Sequence, residues 1–116
     1  MPPFRLNAKN FFLTYPQCPA AKDTLLAFLS GLRPSTYVLV SSEQHADGTP
    51  HLHALLCLVD KYNCRNERFF DFESEGRTFH PNLQAVRNLN DVRTYVLKDG
   101  NFVEQGEYVD PGKRKR

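Results

Sequence analysis

The sequence predicts an α+β fold, a central antiparallel β-sheet with helices packed on one side in the ferredoxin-like layer pattern. Segments rich in β-branched and aromatic residues alternate with two segments of helical apolar spacing, in the order β-α-β-β-(β)-β-α-β. Asp47-Gly48, flanked by strand-like runs, reads as the tip of a hairpin that joins the second and third strands. The length, 116 residues, is that of one domain.

Each element has its own local reason. Phe4–Pro16 reads as a strand through Phe11, Phe12, Thr14 and Tyr15, and Pro16 stops it. Lys22–Leu32 reads as a helix because Leu25, Leu26, Phe28, Leu29 and Leu32 fall at helical spacing, with Pro34 just past its end. Tyr37–Gln44 and His51–Leu58 are runs of good β-formers on either side of the turn. Arg68–Phe72 and Asn82–Val86 are shorter candidate strands. Asn88–Lys98 reads as a second helix, with Asn88 or Asn90 as cap, Leu89, Val92 and Val96 as its apolar stripe, and Gly100 as its stop. Phe102–Tyr108 supplies a last edge strand.

Composition excludes several classes. Apolar residues make up 41% and charged residues 24%, which fits neither a disordered chain nor a collagen-like fibre. The longest apolar run, Ala54–Val59, is far short of the ~20 residues of a membrane span, and Met1-Pro-Pro-Phe-Arg5 opens no signal-peptide core. The 3 cysteines, Cys18, Cys57 and Cys64, are odd in number and lack CxxC spacing, against both a disulfide framework and a cysteine zinc site. The expectation is a soluble, intracellular domain in a reducing compartment, with no membrane partner. Lys and Arg number 15 against 13 Asp and Glu, but residues 113–116 hold four of the cations. Residues 1–112 therefore carry 11 cations against 13 acids, or −2, so bulk charge does not mark this part as a nucleic-acid binder. The basic tail reads equally as a linker or targeting segment and as a solvated end.

Two clusters carry candidate chemistry. On a strand, His51 and His53 point to one face and Leu52 to the other. Two imidazoles are too few for a stable metal site, but Glu43 ends the preceding strand and the hairpin brings it back beside them. Two histidines and a carboxylate would leave positions open for water and substrate oxygens; the same residues could equally be surface or hydrogen-bonded histidines. On the second helix, Tyr95, Lys98 and Asp99 share a face. A phenol is a poor nucleophile at neutral pH unless its anion is favoured, which Lys98 could do, while Asp99 could reach a metal. A half-buried helix can carry the same pair with no chemistry at all. If the two clusters met, a cation would polarise a phosphodiester and a tyrosine would stand ready to attack it.

Read in order, Phe12-Leu-Thr-Tyr-Pro16, His51-Leu-His53 and Tyr95-Val-Leu-Lys98 resemble the three motifs of rolling-circle replication initiators. The resemblance is closest to the Rep proteins of geminiviruses and of the gemini-like genomoviruses. Residues 68–84, Arg-Phe-Phe-Asp-Phe-Glu-Ser-Glu-Gly-Arg-Thr-Phe-His-Pro-Asn-Leu-Gln, resemble the extra motif those groups carry between the second and third. The resemblance implies an HUH endonuclease fold, RRM-like, with the two histidines on the central strand. It implies His51, His53, Glu43 and Asp99 as ligands of a divalent metal, Mg²⁺ or Mn²⁺. Tyr95 is then the nucleophile that becomes linked to a 5′ phosphate, and Lys98 its assistant. Arg5, Lys9, Tyr15, His80, Asn82 and Gln84 are expected to contact single-stranded DNA, the loop of a viral origin hairpin, with phosphate contacts from Arg5 and Lys9.

The same resemblance implies residues 1–110 as the nicking domain and 111–116 as the start of a linker to an oligomerisation and helicase region. The domain alone is expected to be monomeric, the full-length protein oligomeric, and the site of action the host nucleus. Two rivals stand beside this reading. One is a non-catalytic single-strand binder on an RRM-like sheet, although the chain lacks RNP-type aromatic signatures. The other is a metal phosphodiesterase that uses activated water and leaves no covalent intermediate.

Overall fold

The structure, a computed structural model, describes residues 4–44, 46–98 and 100–110. Asp99 and the basic tail 111–116, both singled out by sequence, lie outside the described residues. The elements run β1 (Leu6–Pro16), α1 (Lys22–Leu32), β2 (Ser35–Gln44), β3 (Pro50–Cys64), β4 (Phe72–Ser74), β5 (Arg77–Phe79), β6 (Asn82–Ala85), α2 (Leu89–Leu97) and β7 (Phe102–Gly106). Five of the strands form one antiparallel sheet in the order β6-β1-β3-β2-β7, and β4 and β5 form a separate hairpin. The α+β class and the antiparallel central sheet are those the sequence predicts.

Strand alternation sorts the sheet into two faces. One is built from Phe11, Leu13, Val38, Val40, Leu52 and Leu56, and Leu25 and Leu29 of α1 close over it. The other is built from Tyr37, Leu39, Leu55 and Cys57, closed by Val96 of α2. The helical cover therefore divides between the faces, because the residues that α1 and α2 touch alternate along β2 and β3. Cys18, Cys57 and Cys64 are free and buried, and the apolar surroundings of Cys57 push its thiol up to about 11.

Three local features depart from the sequence expectation. β3 runs on to Cys64 instead of ending at Leu58, because Tyr62, Asn63 and Cys64 find partners in Ala8, Asn7 and Leu6 beyond a register shift. That partnership is tertiary and leaves no mark on the polar stretch itself. Residues 67–70 form a turn, not a strand, and Phe70 and Phe72 point into the α1 core. The strand chemistry of this region is spent one step later in the β4–β5 hairpin, turned by Glu75 and Gly76 with φ of 50° and 79°. Two consecutive positive φ angles are what a tight hairpin turn of matching twist demands. At α2 the expected cap is present: Asn88 Oδ1 accepts from the Asp91 N–H at 3.1 Å.

Candidate functional site

The register of three strands builds the site. Glu43 of β2 lies opposite His51 of β3, and Ser41 opposite His53. On the other side of β3, Thr14 of β1 lies opposite His53, and β6 then sets Asn82 beside Thr14 and Gln84 beside Phe12. All of these belong to the face that α2 covers, so the helix brings Tyr95 and Lys98 over the histidine pair.

The contacts are specific. His53 Nε2 and Glu43 Oε1 are 2.7 Å apart, and Lys98 Nζ donates to Glu43 Oε2 at 2.7 Å. Thr14 Oγ1 lies 3.3 Å from His53 Nδ1. The Phe12 ring stacks on His53 at 5.9 Å between centroids, and Tyr95 meets both rings edge-on, 5.4 Å from His53 and 5.9 Å from Phe12. Lys98 Nζ also stands 4.3 Å from the centre of the Tyr95 ring. His53 is buried, 6% exposed, whereas Tyr95 is 45% exposed. The nucleophile candidate is open to a polymer while its neighbours are held.

Charge follows from these contacts. The hydrogen bond from Lys98 holds the Glu43 carboxyl below the usual carboxylate range, with His53 adding to it. Burial pushes His53 below the usual imidazole range against the pull of Glu43. At neutral pH the cluster is a carboxylate, an ammonium and a neutral imidazole.

Two imidazoles and a carboxylate on adjacent strands are a donor set suited to a divalent cation. Among the described residues, however, no three His, Cys, Asp or Glu side chains already converge on one point. The rings of His51 and His53 are 6.5 Å apart, and the Glu43 oxygens are engaged by His53 and Lys98. Glu43, His51 and His53 suit such an ion in donor chemistry and lie at neighbouring positions of the β2–β3 register.

The remaining candidates divide. Asn82 and Gln84 are exposed on the site face, and Gln84 helps line a shallow cavity of about 260 Å³ with Phe12, Asp91, Val92 and Tyr95. Arg5 and Lys9 are exposed toward the opposite end of β1 and are not brought to the site. Lys9 instead lines a larger cavity of about 460 Å³ beyond the other end of α2, with Tyr37, Cys57 and Tyr108. His80 pairs through Nδ1 with Asp71 Oδ1 at 2.6 Å, outside the His51–His53 cluster.

Tyr15 requires correction as a DNA-contact residue. It is wholly buried on the α1 face, where its hydroxyl donates to the Phe70 carbonyl at 2.6 Å and burial pushes the phenol up. One residue of strand alternation separates it from Thr14 and sends it away from the histidines.

Sequence reasoning missed Thr14 and Ser41 as neighbours of His53. Counting back through the hairpin could have found Ser41. Thr14 could not be found that way, since no short turn fixes the register of β1 on β3. It also missed Arg93, whose Nε donates to the Tyr37 hydroxyl at 3.2 Å while that hydroxyl donates to Glu104 at 2.5 Å, tying α2 to the sheet. Burial and the Glu104 bond push Tyr37 up to about 12.

Residues 4–110 match the family model of the geminivirus Rep catalytic domain. The chain is also similar to the replication-associated protein of Cabbage leaf curl virus (isolate Jamaica). The two are 47% identical over 118 aligned positions, which cover 97% of this chain and 34% of that protein. The chain thus spans about a third of the length of that curated relative.

Proposed function

The chain belongs to the geminivirus Rep catalytic domain family, and on that premise we propose that it is a metal-dependent, sequence-selective endonuclease and strand-transferase for single-stranded DNA. It nicks the loop of a viral origin hairpin to begin rolling-circle replication and later rejoins the ends. The observation that carries this reading is an exposed Tyr95 set edge-on to His53, with Lys98 touching both the Tyr95 ring and Glu43.

In the reaction, the Tyr95 oxygen forms a bond to the scissile phosphorus and the bond from phosphorus to the 3′ oxygen breaks. The phenol proton is lost, and the departing oxygen takes up a proton to become a free 3′ hydroxyl. The 5′ phosphate stays on Tyr95. Because the phosphotyrosine linkage replaces one phosphodiester by another, the same site can reverse the step without a nucleotide cofactor. Lys98, whose Nζ is 4.3 Å from the centre of the Tyr95 ring, would offset charge on the phosphate. Thr14 and Phe12 hold the His53 ring in place, one by hydrogen bond and one by stacking. A divalent cation, Mg²⁺ or Mn²⁺, held by Glu43, His51 and His53, would polarise the phosphate oxygens. Asn82 and Gln84, whose amides both donate and accept, suit exposed base edges along the strand's path.

In this reading the chain works on DNA already melted or extruded as a loop, in the host nucleus. The decisive experiment incubates the protein with an oligonucleotide carrying a geminivirus origin loop, with Mn²⁺ or with EDTA, and resolves the products on a denaturing gel. A Mn²⁺-dependent protein–DNA adduct that Tyr95→Phe abolishes, with binding retained, is expected. Cleavage without an adduct would assign the attack to water, and binding without cleavage would leave a non-catalytic module.

A further inference from the structure

The site face extends beyond the residues that carry the chemistry. A single row crosses all five strands: Asn82 on β6, Thr14 on β1, His53 on β3, Ser41 on β2 and Phe102 on β7. Phe102 is on the same face as the histidines by alternation. Its neighbour Val103 packs into the α1 core, while Glu104, two residues on, reaches Tyr37 on the α2 face. Phe102 is nevertheless 36% exposed, a large apolar ring left at the sheet edge. Two strand spacings, ~10 Å, separate β7 from β3, so a base a few nucleotides from a phosphate at His53 reaches it.

We propose that Phe102 is a stacking platform for a nucleobase of the bound single strand, on the side of Tyr95 away from Asn82 and Gln84. This rests on the single-strand reading above. Residues 1–112 carry 11 cations against 13 acids, so phosphate attraction is a weak source of affinity here. Base–aromatic stacking is a source that needs no charge and tolerates any base. An aromatic at this edge position also gives the path two anchors, amides at β6 and a ring at β7, that bracket the reacting phosphate.

The test exploits the absence of tryptophan from the chain. In a Tyr95→Phe background, affinity for a fluorescein-labelled origin-loop oligonucleotide is measured by anisotropy for the parent, Phe102→Ala and Phe102→Trp. Val59→Ala, which trims an exposed apolar residue on β3, is the control. Phe102→Ala is expected to weaken binding by about five- to a hundredfold, with Phe102→Trp and Val59→Ala close to the parent. The new tryptophan's emission should be quenched along the same binding curve. Equal affinity in the folded alanine variant, or unchanged tryptophan emission at saturation, overturns the proposal while leaving the single-strand reading intact. If the alanine variant does not fold, the tryptophan signal alone decides. A parent that binds no single strand at all would overturn both.

Discussion

Replacing Tyr15 by Phe separates the structural reading of this residue from a DNA-contact role. The hydroxyl is wholly buried and donates at 2.6 Å to the carbonyl of Phe70, 55 residues away. Removing it leaves that buried carbonyl without its donor, a loss of about 1–3 kcal/mol. For a domain of this size that corresponds to a fall in Tm of ~5–20 °C. The pH dependence adds a second signature. Burial raises the folded-state phenol above its unfolded value, so its contribution is fully present below pH ~10 and is lost as pH rises beyond it. The parent should therefore lose stability more steeply than Tyr15→Phe in that alkaline range. Thermal unfolding by circular dichroism near pH 7 and above pH ~10 measures both effects, and origin-loop affinity is measured below both melting temperatures. An unchanged Tm, or a loss of DNA affinity in a variant of parental stability, would refute the burial argument.

Two other substitutions probe the chemistry. Thr14→Val removes the hydroxyl that partners His53 Nδ1. Since outer partners of ligating histidines are worth 10–100-fold in metal affinity, Mn²⁺ binding followed by proton relaxation should weaken by at least about tenfold. Thr14→Ser should restore it, and a valine variant that binds Mn²⁺ like the parent would dismiss the role. Lys98→Met takes the ammonium from Glu43, so the carboxyl should rise toward its ordinary value in an NMR titration. Its folded-state value is now depressed, so the pair's stabilisation of about 0.2–1 kcal/mol is present at neutral pH and lost as pH falls through the folded value. Adduct formation should slow with the charge removed; an unaltered Glu43 titration would show that the ion pair is not formed in solution.

The parts legible in the sequence are those fixed by neighbours along the chain. α1 and its apolar stripe, the Asn88 cap, the Asp47-Gly48 hairpin and the pairing of Glu43 with His51 all follow from local spacing or one short turn. What was not legible depends on contacts between distant segments. The continuation of β3 through Asp60–Asn63, the approach of Thr14 to His53 and the placement of Arg93 against Tyr37 each rest on the packing of elements far apart in sequence. Tyr15 and Thr14 show how narrow the margin is. They are adjacent, and only the β1 register decides which of them faces the histidines.

The same register bears on how DNA is held. Glu43 is ionised and paired with Lys98, and His53 is held neutral, so these groups together offer a phosphate no net charge at neutral pH. Beside them this face exposes the polar and aromatic side chains Asn82, Gln84, Tyr95 and Phe102, and the further exposed charges Asp91 and Glu104 are acidic. Binding dominated by such contacts loses little on adding salt. Each phosphate neutralised on a single strand contributes a slope of about −0.7 to log K against log salt. One or two contacts near Lys98 then give about −0.7 to −1.4. If the four cations of residues 113–116 also engaged the strand, the slope would steepen to about −3.5 or beyond. Anisotropy titrations over a range of NaCl concentrations, for the chain with and without residues 113–116, distinguish the two cases. A slope near −1 that is indifferent to the tail supports recognition by stacking and hydrogen bonding. A steep slope that persists without the tail would mean that cations elsewhere on the domain carry the strand, and the argument from the site face would fail.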